Sequence, residues 1–321
     1  MDHDADARPA GPPAAWRADP PAPSAGEPPH LPPAGPDTAR LAAITVVVVT
    51  FESAHCLPEL GRSLGGFPKV IVVDNGSADD TVAAVPRHLP QARVIANGRN
   101  LGFGAANNRA FAQADTEFVM LLNPDCSMST AAALTLLDAA QRYPTASAIG
   151  PQLIDRHGGP EMGYRMRLDR WLPRGGPAEG DLCVEFLSGA CMLIRRGALA
   201  RIGGFDEDFF LYQEDHDLCI RLAAQCGPLV LCPAARATHQ SRRSSAGRHR
   251  LRAEYLRGYH HIQSKFIFER KHHQVPLTAA VRLRYVLTGA LECLLRACLL
   301  DGARASRALG RLRGAWAYAP K

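Results

Sequence analysis

No two cysteines in this chain are spaced CxxC, and the nine present are odd in number and scattered. That pattern argues against a disulfide framework and against a zinc site, and it fits a reducing, cytoplasmic setting. The opening residues, "MDHDADARPAGPPAAW", show no basic-then-apolar signal segment. Long apolar runs are missing too. The apolar region near the C-terminus is interrupted by Glu292 and Arg296, so it does not reach the roughly 20 apolar residues a bilayer-spanning helix requires. Aromatic residues are sparse around the basic segment "HQSRRSSAGRHRLR", which carries no nucleic-acid recognition motif. Nucleic acid is therefore not an expected partner.

With 321 residues and 46% hydrophobic content, the chain can bury one sizeable core and carry a smaller appendage. Its ends differ from its middle. Residues 1–40 hold eleven of the 25 prolines and much Ala and Gly, a composition expected of a disordered tail because it buries too little surface to offset chain entropy. Charge is lopsided: residues 1–235 carry 19 Lys and Arg against 27 Asp and Glu, or −8, whereas residues 236–321 carry 18 against 4, or +14. Such a basic end seeks an anionic partner.

Between the ends the pattern alternates. "ITVVVVT" (44–50), "KVIVVDN" (69–75), "ARVIAN" (92–97) and "EFVMLLN" (117–123) are short apolar runs, typical of parallel strands buried on both faces. Helices fit at about 54–64, 78–88 and 102–114. The expected fold class is α/β, an open, mostly parallel sheet that binds ligands at the carboxyl ends of its strands. Thr50, Asp74, Asn97 and Asp125 lie at or just after those ends.

Several stretches bear on chemistry. "LLNPDC" (121–126) ends an apolar run on Asn123-Pro124-Asp125, which reads equally as a polar turn, since Pro124 cannot pair in a sheet and Asn and Asp favour turns. "NLGFGAAN" contains Gly102-x-Gly104-x-x-Asn107, close to a dinucleotide fingerprint. It follows the third strand rather than the first and lacks the last glycine, so its glycines are better read as permitting a tight turn and close helix packing. "GGFDEDFFLYQEDHDLCIRL" (203–222) groups six acids around aromatics. Asp217 suits a solvated first turn of a helix. Glu214 and Asp215, beside aromatics that limit water, point to function.

Taken together, "VTFES", "VVDNGSADDT", "NLGFGAANNRAF", "LLNPD", "SGACMLIRR", "GGFDEDFFLYQEDHDLCIRL" and "HQSRRSS" resemble a family 2 glycosyltransferase with the GT-A fold, in particular its bacterial rhamnosyltransferase-like branch. The resemblance covers about 44–271 and implies a domain at 41–271, with a basic helical extension at 272–321. Phe51-Glu52 stands where Tyr-Asn is usual, and Asn123 replaces the first acid of the Asp-x-Asp metal motif. It implies inverting transfer from a nucleotide-sugar donor, dTDP-rhamnose first, to a cell-envelope glycan or polyprenyl-linked acceptor, with Mg²⁺ or Mn²⁺ as cofactor. Asp125 and His239 become metal-ligand candidates, His239 alternatively a phosphate contact. Thr50, Glu52, Asp74, Asn100, Gly102, Asn108 and Asn123 become donor-binding candidates. Ser77 suits the cap of the following helix, which would leave Asp74 free for the nucleotide. Asp215 is expected to be the base, with Glu214 as runner-up.

Leu283, Val286, Leu287, Ala290, Leu291, Leu294, Leu295, Cys298 and Leu299 recur at spacings of three and four, as in an amphipathic helix. Flanked by Arg282, Arg284, Arg304, Arg307, Arg311 and Arg313, it suits the anionic inner face of a membrane. Packing against the catalytic domain or a dimer partner is the other reading. A catalytically inactive sugar-nucleotide-binding module is the competing function, because Asn123 weakens the metal motif.

Overall fold

The computed structural model describes residues 36–165, 178–240 and 250–319. Residues 1–35 of the expected tail and the basic stretch 241–249 lie outside them. Twelve strands run in chain order: β1 Ile44–Thr50, β2 Val70–Asp74, β3 Ala92–Ala96, β4 Phe118–Leu122, β5 Cys126–Met128, β6 Ala148–Ile154, β7 Pro160–Glu161, β8 Tyr164–Arg165, β9 Leu182–Val184, β10 Phe186–Leu187, β11 Cys191–Arg195 and β12 Leu229–His239. The helices are α1 Pro36–Leu41, α2 Leu57–Leu64, α3 Thr81–His88, α4 Phe103–Phe111, α5 Thr130–Arg142, α6 Arg196–Ile202, α7 Glu214–Gln225, α8 Arg250–His272, α9 Ala279–Cys298 and α10 Gly302–Ala317. α1 falls within the segment expected to be a tail, where Leu41 is buried and Arg40 pairs with Asp138.

The apolar runs become central strands because both of their faces are covered. Ile44, Val46, Val48, Val70, Val72, Met120 and Leu122 enter one core layer. Val47, Val49, Ile71, Val73, Val119 and Leu121 enter the other, as the two-residue period of a strand requires. The sheet order is β3-β2-β1-β4-β11-β6-β12-β5. β1, β2, β3 and β4 are mutually parallel, and β12 runs parallel to β6. β11 is antiparallel to both β4 and β6, and β5 is antiparallel to β12. The sheet is thus mixed rather than purely parallel. β11, between β4 and β6, is thus the strand that interrupts the parallel order in the middle of the sheet.

The three C-terminal helices pack together, beginning with α8 at Arg250, upstream of the boundary expected at residue 272. Side-chain-free positions make the contact close: a Cβ on Gly258 would strike the Arg307 carbonyl, and one on Gly310 the Tyr255 carbonyl. Ile262, Phe266, Ala315 and Tyr318 form the small core between these helices.

α7 is tied to α8 by Asp217. Its side chain, 2% exposed, accepts from Arg221 Nη2 at 2.6 Å and lies 2.8 Å from His272 Nε2. The expectation of a solvated helix start at Asp217 is therefore corrected: the carboxylate faces inward, toward two basic partners. Breaking a buried pair leaves charge uncompensated. Asp217→Ala should lower unfolding free energy by about 2–3 kcal/mol, read as a drop in the urea midpoint at constant slope. A shift under about 0.5 kcal/mol, the range of ordinary surface changes, would show that the pair does not hold α7 to α8.

Candidate active site

The carboxyl ends of β1, β2 and β4 open into a cleft of about 620 Å³. Asn100, Gly102, Asn123, Asp125, Glu214, Asp215 and His239 all line it, so seven of the residues singled out from the sequence converge there. The remaining four do not line it. Thr50 is fully buried and donates to Asp74 Oδ1 at 3.2 Å. Asp74 is not left free by a Ser77 cap. Its Oδ2 accepts from the backbone N–H groups of Gly76 (3.1 Å) and Ser77 (2.9 Å), and its Oδ1 from the Ser77 hydroxyl at 2.5 Å. Ser77 in turn accepts from the Glu52 N–H at 2.8 Å, so Asp74 shapes the loop at the mouth of the cleft. No side-chain cap bond is made at Asp80, where α3 begins.

Asn108 also acts on structure. Its Nδ2 donates to the Phe205 carbonyl at 2.9 Å and its Oδ1 accepts from the Phe205 N–H at 2.8 Å. Gly102 has φ +92°, and a Cβ there would lie 2.5 Å from the Phe210 carbonyl, to which Phe103 N–H donates at 3.0 Å. The glycines of "NLGFGAAN" thus serve the tight turn and close packing expected of them. Asn75, absent from the sequence-level candidates, ties the loop after β2 to the loop after β3: it donates to Asn100 Oδ1 and the Gly102 carbonyl and accepts from Leu101 N–H.

These contacts clamp the loop that leads into α7. Tyr212 and Gln213 have φ of +73° and +67°, two successive non-glycine residues in the left-handed region and a local strain that surrounding contacts must sustain. The result sets Glu214 and Asp215 in the cleft with opposed electrostatics. Burial, then the neighbouring Asp215 charge, pushes the Glu214 carboxyl well above the usual range. Burial also opposes ionisation of Asp215. The His216 imidazole, its Nδ1 3.3 Å from Oδ1, and the backbone N–H groups of Gly189 and His216 outweigh that and hold Asp215 below the usual value. Gly189 N–H lies 3.3 Å from Asp215 Oδ2. The two carboxyls are thus driven apart, Asp215 giving up its proton more readily than Glu214.

On the other side of the cleft, Asp125 is buried at the end of the β4 turn, with its Oδ1 3.7 Å from His239 Nε2. His239 Nδ1 lies 3.0 Å from Glu161 Oε2. Burial opposes charging of His239, but Glu161 and Asp125 outweigh it and raise its pKa. A carboxylate holding the far nitrogen of an imidazole is the arrangement that orients a metal-ligating histidine. An oxygen and a nitrogen ligand facing one space fit a divalent cation, with Asp125 and His239 as its holders. Among the described residues no group of three or more His, Cys, Asp or Glu forms a complete cage, so further ligands would come from water or substrate oxygens, as is common for Mg²⁺. Glu161 escaped the sequence reading because it sits on a two-residue strand beside β6, with no motif to mark it.

Residues 45–203 match the sequence profile of glycosyl transferase family 2, and residues 178–318 that of glycosyl transferase family group 2. The chain is 32% identical over 288 residues to the N-acetylglucosaminyl-diphospho-decaprenol L-rhamnosyltransferase of Mycobacterium tuberculosis, covering 77% of this chain and 90% of that protein. It is 27% identical over 196 residues to the rhamnosyltransferase WbbL of Escherichia coli, covering 53% and 72%. Among solved structures, Staphylococcus aureus TarS 1–349 superposes with a TM-score of 0.51 at 20% identity, over 86% of this chain and 90% of that one. The mannosyltransferase PcManGT of Pyrobaculum calidifontis, solved with GDP-Man and Mn²⁺, gives 0.53 at 16% identity, over 85% and 87%. These two likenesses carry the fold: a mixed central sheet flanked by helices.

If Glu161 orients His239 toward a cation, Glu161→Gln should weaken Mn²⁺ binding about 10- to 100-fold, and Asp125→Ala should abolish it, both measured by calorimetric titration with folding checked by circular dichroism. Unchanged affinity in Asp125→Ala would remove the cation from this side of the cleft.

Proposed function

Since the chain belongs to glycosyl transferase family 2, we propose that this glycosyltransferase moves its sugar with inversion, from dTDP-rhamnose in the first instance, to a polyprenyl-linked or other cell-envelope glycan acceptor. Support for the sugar and acceptor comes from the 32% identical mycobacterial relative, most of whose length is matched. The single observation that carries the mechanism is the acid pair at the start of α7, both members lining the cleft, with Asp215 Oδ2 accepting from Gly189 N–H at 3.3 Å and its pKa held below that of Glu214.

The nucleotide lies against the loops after β2 and β3, where Asn75 holds Asn100 at the cleft and Asp74 keeps the turn in shape. Asp125 and His239 would hold a divalent cation, which would neutralise charge on the departing diphosphate. Asp215 takes the proton from the acceptor hydroxyl as that oxygen bonds to the anomeric carbon and the bond to the diphosphate breaks on the opposite face. Glu214, whose burial favours the protonated form, is placed to bond a sugar hydroxyl. Asn123 lines the same cleft and hydrogen-bonds with a hydroxyl in place of a metal.

A base held below the usual carboxylate pKa keeps its proton-accepting form down to lower pH, and that form is lost only as pH falls through the depressed value. The acid limb of kcat/KM should therefore lie below about pH 4, the ordinary Asp range; a limb near neutrality would assign the base to Glu214. Asp215→Asn should cut transfer by roughly 10²- to 10⁴-fold with donor affinity retained. A sugar-nucleotide panel that shows no metal-dependent turnover with the native protein would leave only a binding module.

The same reading puts the helical extension on an anionic membrane surface. Along α9, Leu283, Leu287, Leu291, Leu294 and Leu295 are each 55–68% exposed, on the face opposite Gly289, which packs against α10. Of the flanking arginines, Arg284, Arg304 and Arg313 are exposed. Arg282 instead binds the Ala315 and Trp316 carbonyls, and Arg307 and Arg311 line the cleft. No helix among the described residues is long and apolar enough to cross a membrane, so attachment is to the interface. Leu287→Glu with Leu291→Glu should reduce co-sedimentation with phosphatidylglycerol vesicles at least tenfold while leaving thermal unfolding unchanged. Undiminished binding would assign the leucine face to a protein contact.

A further inference from the structure

Four basic side chains at the cleft have no part in the mechanism above: Arg257 and His261 from α8, and Arg307 and Arg311 from α10. Each pair is spaced four residues apart, so each lies along one face of its helix. The two helices are brought together at Gly258, whose position admits no side chain against the Arg307 carbonyl. Glu254 binds both Arg257 and Arg307, by bonds from Arg257 Nη1 and Arg307 Nε at 2.6 Å each. Glu292 receives Arg311 Nη2 at 2.6 Å. Three guanidinium groups from two helices are thus gathered along one wall of the cleft, held in place by Glu254 and Glu292.

Its position relative to the two acidic sites is telling. α8 is fastened to the strained loop that bears the base: the Ser264 hydroxyl donates to the Leu211 carbonyl at 2.8 Å, His260 stacks on Phe210 at 4.3 Å, and His261 meets the edge of Tyr212 at 5.7 Å. The arginine charges act on Tyr212, whereas His239 feels Glu161 and Asp125. The wall therefore flanks the base, and the departing diphosphate belongs on the Asp125 side. Inversion requires the acceptor to arrive on the face opposite that diphosphate.

We propose that Arg257, Arg307 and Arg311 form a binding site for the diphosphate group of the acceptor, placing its sugar hydroxyl at Asp215. This rests on the transferase reading above and adds the residues that would hold the acceptor's diphosphate. Planar guanidinium forks match phosphate oxygens in pairs, and an anion entering the wall shares the arginines with Glu254 and Glu292 without stripping them of partners.

The test measures transfer by the full-length protein to two acceptors with the same sugar, one a polyprenyl diphosphate ester and the other a neutral alkyl glycoside. Arg307→Gln with Arg311→Gln should raise KM for the diphosphate acceptor about 10- to 100-fold, the loss of one charge-assisted contact or more. KM for the donor and transfer to the neutral glycoside should be retained, the latter also reporting that the variant is folded. Lys at both positions keeps the charge and should give an intermediate KM. An unchanged KM for the diphosphate acceptor, an equal rise in donor KM, or equal loss with both acceptors would each overturn the assignment. Absence of transfer by the native protein with either acceptor would instead defeat the underlying transferase reading.

Discussion

The site depends on one constraint, the fastening of the loop between α6 and α7. Two acids can face a cleft at a helix start only if the chain entering that helix is held in a backbone shape that Tyr212 and Gln213 would not adopt alone. Three independent contacts hold it: Phe103 N–H on the Phe210 carbonyl, Asn108 on both backbone groups of Phe205, and Ser264 on the Leu211 carbonyl. The first two come from the sheet domain and the third from the helical unit. Lys271 adds ion pairs to Asp206 and Asp208. Gly102 and Gly204 are positions where a side chain would collide with this loop or its clip, so the glycines of two distant motifs serve one docking event.

That docking also sets the electrostatics. Two carboxylates adjacent in sequence and shielded from water cannot both ionise cheaply. The asymmetry comes from what each meets: Asp215 finds the Gly189 N–H and His216, 3.3 Å away, whereas Glu214 Oε2 is buried without a hydrogen-bond partner. His216 is itself fixed by stacking on Phe186 at 4.1 Å. The choice of base therefore follows from the β10–β11 turn as much as from the acid pair.

Much of the sheet was legible because its strands are buried on both faces and so read as uninterrupted apolar runs; β1 to β4 fall within a residue or two of the expected limits. The antiparallel insertion of β11 was not, since pairing direction leaves no trace in "CMLI". Asp125, Glu214 and Asp215 were legible because they stand in motifs at element ends. Asp74 and Asp217 were read too simply, as a free acid and a solvated one. An acid looks the same in sequence whether its partners are water, backbone N–H groups or a histidine 55 residues away. Glu161 and the arginine wall were hidden for a further reason: their places at the cleft depend on contacts between distant segments, and residue 307 comes there through a helix crossing permitted by glycine.

The basic C-terminal end illustrates the consequence. As a sum of charges it suggested a single anionic surface as partner, yet folding divides it. Helical geometry turns side chains four residues apart to one face, and the packing of α8 against α10 directs Arg257, Arg307 and Arg311 into the cleft while Arg284, Arg304 and Arg313 stay outside. On α9 the face opposite the packed Gly289 is leucine. Removing the extension would therefore take away cleft wall together with surface, and loss of activity in a truncated chain could not be ascribed to loss of attachment. An acceptor of the proposed kind, with an apolar chain, a diphosphate and a sugar, would meet in one unit an apolar face, a cationic wall and a route to Asp215, so the packing of three helices would couple its binding to the proposed membrane attachment.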